Sequence, residues 1–341
     1  MLKKDKILIL YSGGTIGMLK NEEGVLQPFD VSYLIKEIPQ LSKLDCQIDF
    51  KSILSPKDSA DFNPSDWVEI GQLIFDNYDS YTGFVVLHGT DTMAYTASAL
   101  SFMFSGLKKP VIFTGSQLPV SHVRTDAYEN LLSSVQIALL KNNEVAVVQE
   151  VCVFFGNKLL RANCATKSSS SDFVAFESYN YPYLINAGVE LKVQQKYLWD
   201  AVSLNSFSFD SRVSSQVFVY KLYPGVNLRY FEHLVETLDF KVLVLQTYGS
   251  GTFLQQYDFI NLLKQLKERG KVIINVTQCL KGGVKEGLYV TNSKFNDLGM
   301  VSAGRMTFEA VVVKSMILLG RGFTSDDFVN YFLMSLSGER A

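Results

Sequence analysis

Short apolar runs alternate with amphipathic stretches along the first half of the chain. The apolar runs predict strands buried on both faces, at residues 7–12, 84–87, 110–114 and 145–155. Between them, apolar positions at helical spacing predict helices at about 92–105 and 126–141. Strands that alternate with helices are typical of an α/β domain with a mainly parallel sheet.

The same alternation returns in the last third of the chain. Strands are predicted near 216–221, 241–246 and 271–276, and helices near 229–238, 255–268, 306–319 and 325–336. A polar stretch at 203–211 favours neither a helix nor a buried strand. We therefore predict an α/β protein with a larger N-terminal domain at 1–190, a linker at 191–213 and a smaller C-terminal α/β domain at 214–341.

Composition and charge narrow the class of function. The 341 residues are 47% hydrophobic and 19% charged, which is ordinary for a soluble globular protein. The formal net charge is −2 and the basic residues are scattered, so no basic stripe for nucleic acid is expected. The first apolar run is too short for a signal peptide, and no run approaches the length of a membrane span. We expect a cytoplasmic protein with a small-molecule ligand and no nucleic-acid or membrane partner.

Cysteine and histidine are too sparse and too scattered for the commonest metal and triad sites. The cysteines are Cys46, Cys152, Cys164 and Cys279, and the histidines are His88, His122 and His233. This spacing argues against a disulfide framework, a Cys-x-x-Cys site, a zinc site and a serine–histidine triad. Hydrolytic chemistry, if present, is expected to run without histidine.

Two of the predicted strands run directly into a glycine turn that carries a threonine. The first turn is Ser12-Gly13-Gly14-Thr15, and the second is His88-Gly89-Thr90-Asp91. In open α/β sheets, ligands collect at the carboxyl ends of the strands. The first turn matches neither nucleotide fingerprint, so a threonine nucleophile is the better functional interpretation, with a plain tight turn as the alternative.

Asp91 follows the second threonine at a predicted helix start. A carboxylate there can accept a substrate amino group while backbone N–H groups bind a carboxylate, which favours an amino-acid ligand. The alternative is that Asp91 or Thr92 merely caps the helix. Lys167, in a small polar stretch after an apolar strand, is either a surface charge or a desolvated general base for a threonine hydroxyl.

Together these segments resemble the bacterial-type L-asparaginases, most closely their intracellular type I branch. The resemblance is carried by Ser12–Ile16, His88–Met93, Thr114–Pro119, Arg124-x-Asp126 and Thr166-Lys167, in this order along the chain. It implies two α/β domains per subunit and a homodimer or homotetramer with sites completed at the dimer interface. It implies no metal and no organic cofactor.

The resemblance also implies roles for individual residues. Thr15 would attack the side-chain amide of L-asparagine to give an acyl-enzyme, which water then hydrolyses to L-aspartate. Thr90, Asp91 and Lys167 would form a second group that handles protons. The implied substrate-binding residues are Asp58, Ser59, Thr90, Asp91 and Ser116.

The chain departs from the family pattern at several positions. Val25 stands where a loop tyrosine contacts the nucleophile in relatives, and Tyr33 is one candidate to replace it. Thr252 stands where relatives often carry asparagine. An effector site for asparagine in type I relatives is matched by Thr166, Thr277 and Cys279, but Gln246 stands where an arginine would grip a carboxylate.

Two readings besides asparaginase remain open from the sequence. One is an amidase that prefers glutamine or works within a tRNA-linked amidotransferase. The other is a catalytically weak sensor that binds asparagine without releasing ammonia.

Overall fold

The computed structural model describes residues 4–20, 26–28, 37–199, 206–285 and 298–340. The chain forms two compact units, Met1–Ser211 and Arg212–Ala341. The domain bounds expected from the sequence, with a linker at 191–213, stay a prediction.

The first unit contains sixteen strands and three α-helices among its described residues. The strands are β1 (Lys6–Tyr11), β2 (Met18–Lys20), β3 (Leu26–Pro28), β4 (Gln47–Ser52), β5 (Gly83–Leu87), β6 (Phe104–Ser105), β7 (Val111–Thr114), β8 (Lys141–Asn142), β9 (Val145–Ala146), β10 (Val151–Phe155), β11 (Lys158–Arg161), β12 (Thr166–Lys167), β13 (Phe176–Glu177), β14 (Ile185–Ala187), β15 (Leu191–Val193) and β16 (Ser208–Phe209). The helices are α1 (Pro64–Asn77), α2 (Met93–Met103) and α3 (Ala127–Ala138).

Eight of these strands form the main sheet, in the order β15-β14-β11-β10-β7-β5-β1-β4. Strands β4, β1, β5, β7 and β10 run parallel, whereas β11, β14 and β15 add to the edge as antiparallel strands. The predicted mainly parallel sheet is confirmed. Because the central strands are parallel, their carboxyl ends lie along one edge of the sheet.

The predicted strand at 145–155 is wrong as a single element. Its first part, Val145–Ala146, pairs with Lys141–Asn142 in a local hairpin. Asn143 and Glu144 both have positive φ (48° and 66°), as a two-residue type I′ hairpin turn requires. Only Val151–Phe155 continues into the main sheet, where all five residues are buried.

Several elements of the first unit were not predicted, among them strand β4 and helix α1. Strand β4 lies at the sheet edge and has no fully buried residue, so its pattern lacks an apolar run. Helix α1 begins with a capping box, in which Asn63 accepts from the N–H of Ser65 and Asp66 accepts from the N–H of Asn63. Pro64 occupies the first helical position, where its missing N–H costs nothing.

The second unit is a smaller α/β unit. Its strands are β17 (Val217–Lys221), β18 (Val242–Thr247), β19 (Val272–Thr277) and β20 (Val301–Ser302), all parallel and in sequence order across the sheet. Its helices are α4 (Leu228–Thr237), α5 (Tyr257–Glu268), α6 (Phe308–Gly320) and α7 (Ser325–Leu333). The predicted smaller C-terminal α/β domain is thus confirmed, and the structure adds that its sheet is parallel.

A charged pair lies inside the first unit, beside the apolar strands. The Nε atom of Arg161 lies 2.7 Å from Oε2 of Glu150, and the two side chains are only 2% and 6% exposed. Arg161 also donates to the carbonyl oxygen of Tyr197, and Glu150 accepts from the N–H of Trp199. Both charges therefore have several hydrogen-bond partners, as burial demands.

In the part of the chain that the structure describes, no helix has both the length and the apolar character needed to cross a membrane.

The Arg161–Glu150 pair gives a prediction for stability. We expect Glu150→Gln to lower the free energy of unfolding by about 3–5 kcal/mol, because a buried guanidinium would lose its countercharge. The matched control is Glu144→Gln, which removes a 90% exposed carboxylate 3.7 Å from Lys141 and should leave stability nearly unchanged. Urea unfolding measures both, and equal losses would contradict the prediction.

Candidate active site

Three loops meet at the carboxyl edge of the main sheet. They follow β1, β5 and β7, which are neighbours in the sheet, with Tyr11 beside Leu87 and Leu87 beside Thr114. The loop after β1 carries Thr15, the loop after β5 carries Thr90 and Asp91, and the loop after β7 carries Ser116. Every side chain predicted for catalysis, except that of Lys167, thus comes from two adjacent strand ends.

The backbones of the first two loops touch at a pair of glycines. Gly14 has a φ of +88°, and a Cβ added to it would lie 2.4 Å from the nitrogen of Gly89 and 2.5 Å from its Cα. No real Cβ tolerates such distances, so only glycine fits at this contact. Thr15 and Thr90 are the residues that follow the two glycines, and the contact therefore brings their loops together.

Thr15 begins a short 3₁₀ turn, Thr15–Gly17, and is partly exposed. The N–H of Gly17 donates to the carbonyl of Gly14 at 3.1 Å, which closes the turn. The hydroxyl of Tyr11 donates to the carbonyl of Gly17 at 3.0 Å and so ties the end of this turn to β1. Burial raises the pKa of Tyr11 to about 12, so this hydroxyl stays protonated and keeps its role as donor.

Lys167 bridges the second threonine and its neighbouring carboxylate. Its Nζ atom lies 2.8 Å from Oγ1 of Thr90 and 2.5 Å from Oδ1 of Asp91. A two-strand ribbon holds it there, because Lys167 on β12 pairs with Phe176 on β13. The structure thus brings together the three residues that the resemblance grouped, and Lys167 is not a free surface charge.

The structure also decides whether Asp91 or Thr92 caps helix α2. Thr92 is the N-cap residue, and its side chain makes no capping hydrogen bond. The Asp91 carboxylate instead pairs with Lys167, and the Thr92 hydroxyl donates to the carbonyl of Ser59 at 2.7 Å. The capping alternative is therefore wrong for both side chains.

Asp58 and Ser59 lie at the start of a 3₁₀ turn, Ser59–Asp61, next to the Gly89 loop. The Asp58 carboxylate accepts from the N–H of Ala60 at 2.9 Å and is otherwise exposed. Ser59 is 1% exposed, and a Cβ on Gly89 would lie 2.5 Å from its Oγ atom. The preceding residue, Lys57, is anchored to Asp66 of α1 by an ion pair of 2.7 Å.

Ser116 is buried, and its hydroxyl donates to the carbonyl of Leu118 at 2.6 Å. The same loop is held by Asp126, whose carboxylate accepts from the N–H of Gln117 at 3.0 Å and of Leu118 at 3.2 Å. Asp126 is the N-cap residue of α3, but its side chain does not cap the helix because its oxygens bind the loop instead. Thr125 does act near the helix start, since its Oγ1 accepts from the N–H of Ala127 at 3.1 Å.

His88 lies between β5 and Gly89, and the sequence analysis gave it no role. Its ring is fully buried, packs against Phe62 and Phe113, and places Nδ1 2.7 Å from the carbonyl of Gly89. Burial lowers the pKa of His88 to about 4, which keeps the ring neutral near pH 7. A neutral ring with its proton on Nδ1 can donate to Gly89, the residue that contacts Gly14.

The residues matched to an effector site are divided between the two units. Thr166 is on β12 of the first unit, whereas Gln246, Thr277 and Cys279 belong to the second. Within the second unit, the Thr277 hydroxyl donates to Gly249 at 2.5 Å and accepts from the N–H of Cys279 at 3.0 Å. Their role as an effector site stays a prediction.

Three further positions singled out in the sequence have different outcomes. Thr252 closes a tight turn, in which its hydroxyl donates to the carbonyl of Tyr248 at 3.1 Å. Val25 and Tyr33 lie outside the described residues. Whether Tyr33 replaces the tyrosine that relatives carry at the position of Val25 therefore stays a prediction.

Several supporting residues were missed from the sequence. Asp66 had a local signal, since Asn63-Pro64-Ser65-Asp66 is a helix-start pattern with an acidic residue at the third position. Asn130 had none, because its amide reaches across to the carbonyl of Gly115 at 3.0 Å and to Asp126 at 3.1 Å. Among the described residues, no group of three or more His, Cys, Asp or Glu side chains is placed to hold a metal ion.

Comparisons with known proteins identify the family of the chain. The family model "Asparaginase, N-terminal" matches residues 6–199, and "Glutaminase/Asparaginase C-terminal domain" matches residues 216–332. The chain belongs to the asparaginase family. It is 34% identical to L-asparaginase 1 of Escherichia coli (strain K12), over 99% of this chain and 98% of that protein.

Solved structures give the same result for the fold. The crystal structure of L-asparaginase I from Vibrio cholerae has a TM-score of 0.89 at 34% identity, with 99% of this chain and 100% of that one covered. The thermostable L-asparaginase from Thermococcus kodakarensis also has a TM-score of 0.89, at 30% identity, with 98% and 99% covered.

The glycine contact gives a second prediction. We expect Gly14→Ala to lower the free energy of unfolding by about 1–3 kcal/mol more than Gly225→Ala, because it adds a backbone collision. The two glycines share nearly the same φ, +88° and +86°, but a Cβ on Gly225 has nothing within 4 Å. The control therefore carries the left-handed strain alone, and similar losses in urea unfolding would refute the steric argument.

The buried histidine gives a third prediction, on pH. Because burial lowers the pKa of His88 from its ordinary value of 6.5 to about 4, the unfolded state binds the extra proton between these pH values. Its contribution to stability is present above pH 6.5 and is lost as the pH falls towards 4, by about 3 kcal/mol at most.

The measurement is the free energy of unfolding at pH 7.5 and at pH 5, for the natural chain and for His88→Asn. We expect a smaller decrease on acidification in the variant, because the asparagine amide can replace the Nδ1 donor but does not titrate. Parallel pH profiles for the two proteins would show that His88 does not carry the effect.

Proposed function

We propose that this chain is an L-asparaginase, which hydrolyses the side-chain amide of L-asparagine to L-aspartate and ammonia. The observation that carries the proposal is the position of the Lys167 Nζ atom, which lies within hydrogen-bond distance of both Thr90 and Asp91, on a loop that touches the turn of Thr15. Membership of the asparaginase family supports the reaction class and the substrate.

The first chemical step in this proposal is attack by Thr15. Its hydroxyl oxygen bonds to the amide carbon, the C–N bond breaks, and the nitrogen leaves as ammonia after gaining a proton. Backbone N–H groups in the loops of Thr15 and Thr90 would stabilise the negative oxygen of the intermediate. Water then attacks the ester, which releases L-aspartate and restores the hydroxyl.

The group of Thr90, Asp91 and Lys167 is proposed to move the proton. A hydroxyl can accept and donate at once, so Thr90 can relay a proton between a reacting water or hydroxyl and the nitrogen of Lys167. Asp91 holds the Lys167 side chain in place with its carboxylate, 2.5 Å away. The scarcity of histidine in the chain is consistent with this use of lysine.

The charged ends of the amino acid are proposed to bind beside this group. Asp58 and Asp91 have carboxylate oxygens for the α-ammonium group, since each oxygen can accept more than one hydrogen bond. The hydroxyl of Ser59 is a donor for the α-carboxylate. A main-chain carbonyl at Ser116 is proposed to accept from the nitrogen of the substrate amide, and the hydrogen bond from the Ser116 hydroxyl to Leu118 supports this by holding the loop.

Further features of the proposal come from the resemblance and the composition. The active form is proposed to be a homodimer or homotetramer with sites at the dimer interface, and the location to be cytoplasmic. The substrate is a small amino acid, and no nucleic-acid or membrane partner is proposed, in keeping with the net charge of −2.

Preference for glutamine is the second activity worth measuring. The reason is that the family model that matches residues 216–332 is described for both glutaminases and asparaginases. The two activities differ by one methylene in the substrate, so a preference of about 10–200-fold is the range that such a difference supports.

The proposal predicts the outcome of a direct assay. Ammonia release should be measured from L-asparagine and L-glutamine with the natural chain and with Thr15→Val, which removes the hydroxyl but keeps the shape. We expect release from L-asparagine, and a fall in kcat of about a thousandfold or more in the variant. Binding of L-asparagine without ammonia release by the natural chain would instead support the sensor.

Lys167 is tested in the same assay against a matched lysine. Lys167→Met should lower kcat by about 100-fold or more, as expected for loss of a general base. Lys158→Met is the control, because Lys158 is also a partly buried lysine of the first unit, paired with Glu177 at 2.8 Å. Equal effects of the two changes would remove the proton-handling role.

A further inference from the structure

Thr92 occupies a helix N-cap but does not cap its helix. Threonine at this position ordinarily accepts a hydrogen bond from an N–H of the first turn, which stabilises the helix. In α2 the Thr92 side chain makes no such bond. Its hydroxyl donates instead to the carbonyl oxygen of Ser59, 33 residues earlier in the chain.

The residue type does not explain this behaviour. Thr307, the N-cap of α6, accepts from the N–H of Ala310 at 3.2 Å in the ordinary way. Asn63 and Asn227, at the starts of α1 and α4, also cap their helices with their side chains. The Thr92 hydroxyl therefore leaves its helix uncapped because the Ser59 carbonyl lies within hydrogen-bond distance.

The acceptor, the carbonyl oxygen of Ser59, takes part in two hydrogen bonds. Ser59 begins the turn Ser59–Asp61, and its carbonyl also accepts from the N–H of Phe62 at 3.1 Å. Both lone pairs of this oxygen are therefore used, one within its own turn and one by Thr92. The Thr92 bond is thus a direct link between the Ser59 turn and the loop of Thr90 and Asp91.

We propose that Thr92 is a positioning residue, which fixes the spacing between Ser59 and Asp91 and so sets the affinity for the α-ammonium and α-carboxylate groups of the substrate. The inference rests on the proposed function in assigning those two groups to Ser59 and Asp91. Thr92 itself touches neither group in this proposal. It acts by holding one binding loop against the other.

This role has a kinetic signature. The amino-acid end of the substrate is bound equally in the ground state and the transition state, because it does not react. Loss of its positioning therefore raises KM and leaves kcat nearly unchanged. Loss of a residue that served only the fold would lower the unfolding midpoint without this separation.

The test compares two threonine-to-valine changes. Thr92→Val should raise KM for L-asparagine by about three- to tenfold, the effect of one neutral hydrogen bond, with kcat within about twofold. Its unfolding midpoint should also fall modestly, since one hydrogen bond of the folded chain is lost, and the rise in KM is therefore the deciding result. Thr307→Val, the control, should lower the midpoint and leave KM unchanged. Thr92→Ser keeps the hydroxyl and should restore KM.

A binding measurement separates this inference from the proposed reaction. The dissociation constant of L-aspartate should be measured by calorimetry for the natural chain, Thr92→Val and Thr92→Ser. Weaker binding in the valine variant alone supports the inference, even if the natural chain releases no ammonia and the proposed function fails. Unchanged KM and unchanged L-aspartate binding in Thr92→Val would overturn it, as would a fall in kcat alone.

If Thr92→Val does not unfold cooperatively, Thr92→Ser and Thr92→Ala replace it as the pair that differs in the hydroxyl. Tighter substrate binding by the serine variant than by the alanine variant is then the expected result. Equal binding by the two would overturn the inference.

Discussion

The contact between the backbones of Gly14 and Gly89 is the constraint on which the rest of the site depends. Parallel pairing of β1 and β5 brings two strand ends side by side, but a sheet spacing alone leaves room for side chains between the loops. Gly14 and Gly89 have no side chains, so their backbones come into direct contact. The loops then approach closely enough for the groups that follow each glycine to belong to one site.

Polar side chains around this contact hold neighbouring loops instead of their own helices. Asp91 binds Lys167, Thr92 binds Ser59, and Asp126 binds the loop of Gln117. Helices α2 and α3 consequently begin without a side-chain cap from their N-cap residue. Their stability has to come from packing, and ten of the eleven residues of α2 are buried. A local preference is thus overridden where loop position matters more than helix stability.

The sequence predicted what depends on local pattern and on short motifs. Continuous apolar runs located the central strands, and the resemblance grouped Lys167 with Thr90 and Asp91, although 77 residues separate Lys167 from Thr90. Strand β4 was missed because an edge strand that is only partly buried carries no apolar run. The partners of Asp126 and Thr92 were missed for another reason. Capping is the local default for both residue types, and only the folded chain reveals a competing acceptor or donor.

Helix α2 has a consequence for how the site is made during synthesis of the chain. The helix is buried over nearly its whole length and packs against β10 and the turn Ala162–Cys164, where Ser98 donates to Ala162 at 3.4 Å, 64 residues further along. A ribosome releases the chain from the N-terminus, so α2 emerges well before the surfaces that cover it. Helix α2 and the two threonine loops therefore stay uncovered until β10 and the turn Ala162–Cys164 have been synthesised, and a stall in that interval leaves an aggregation-prone chain.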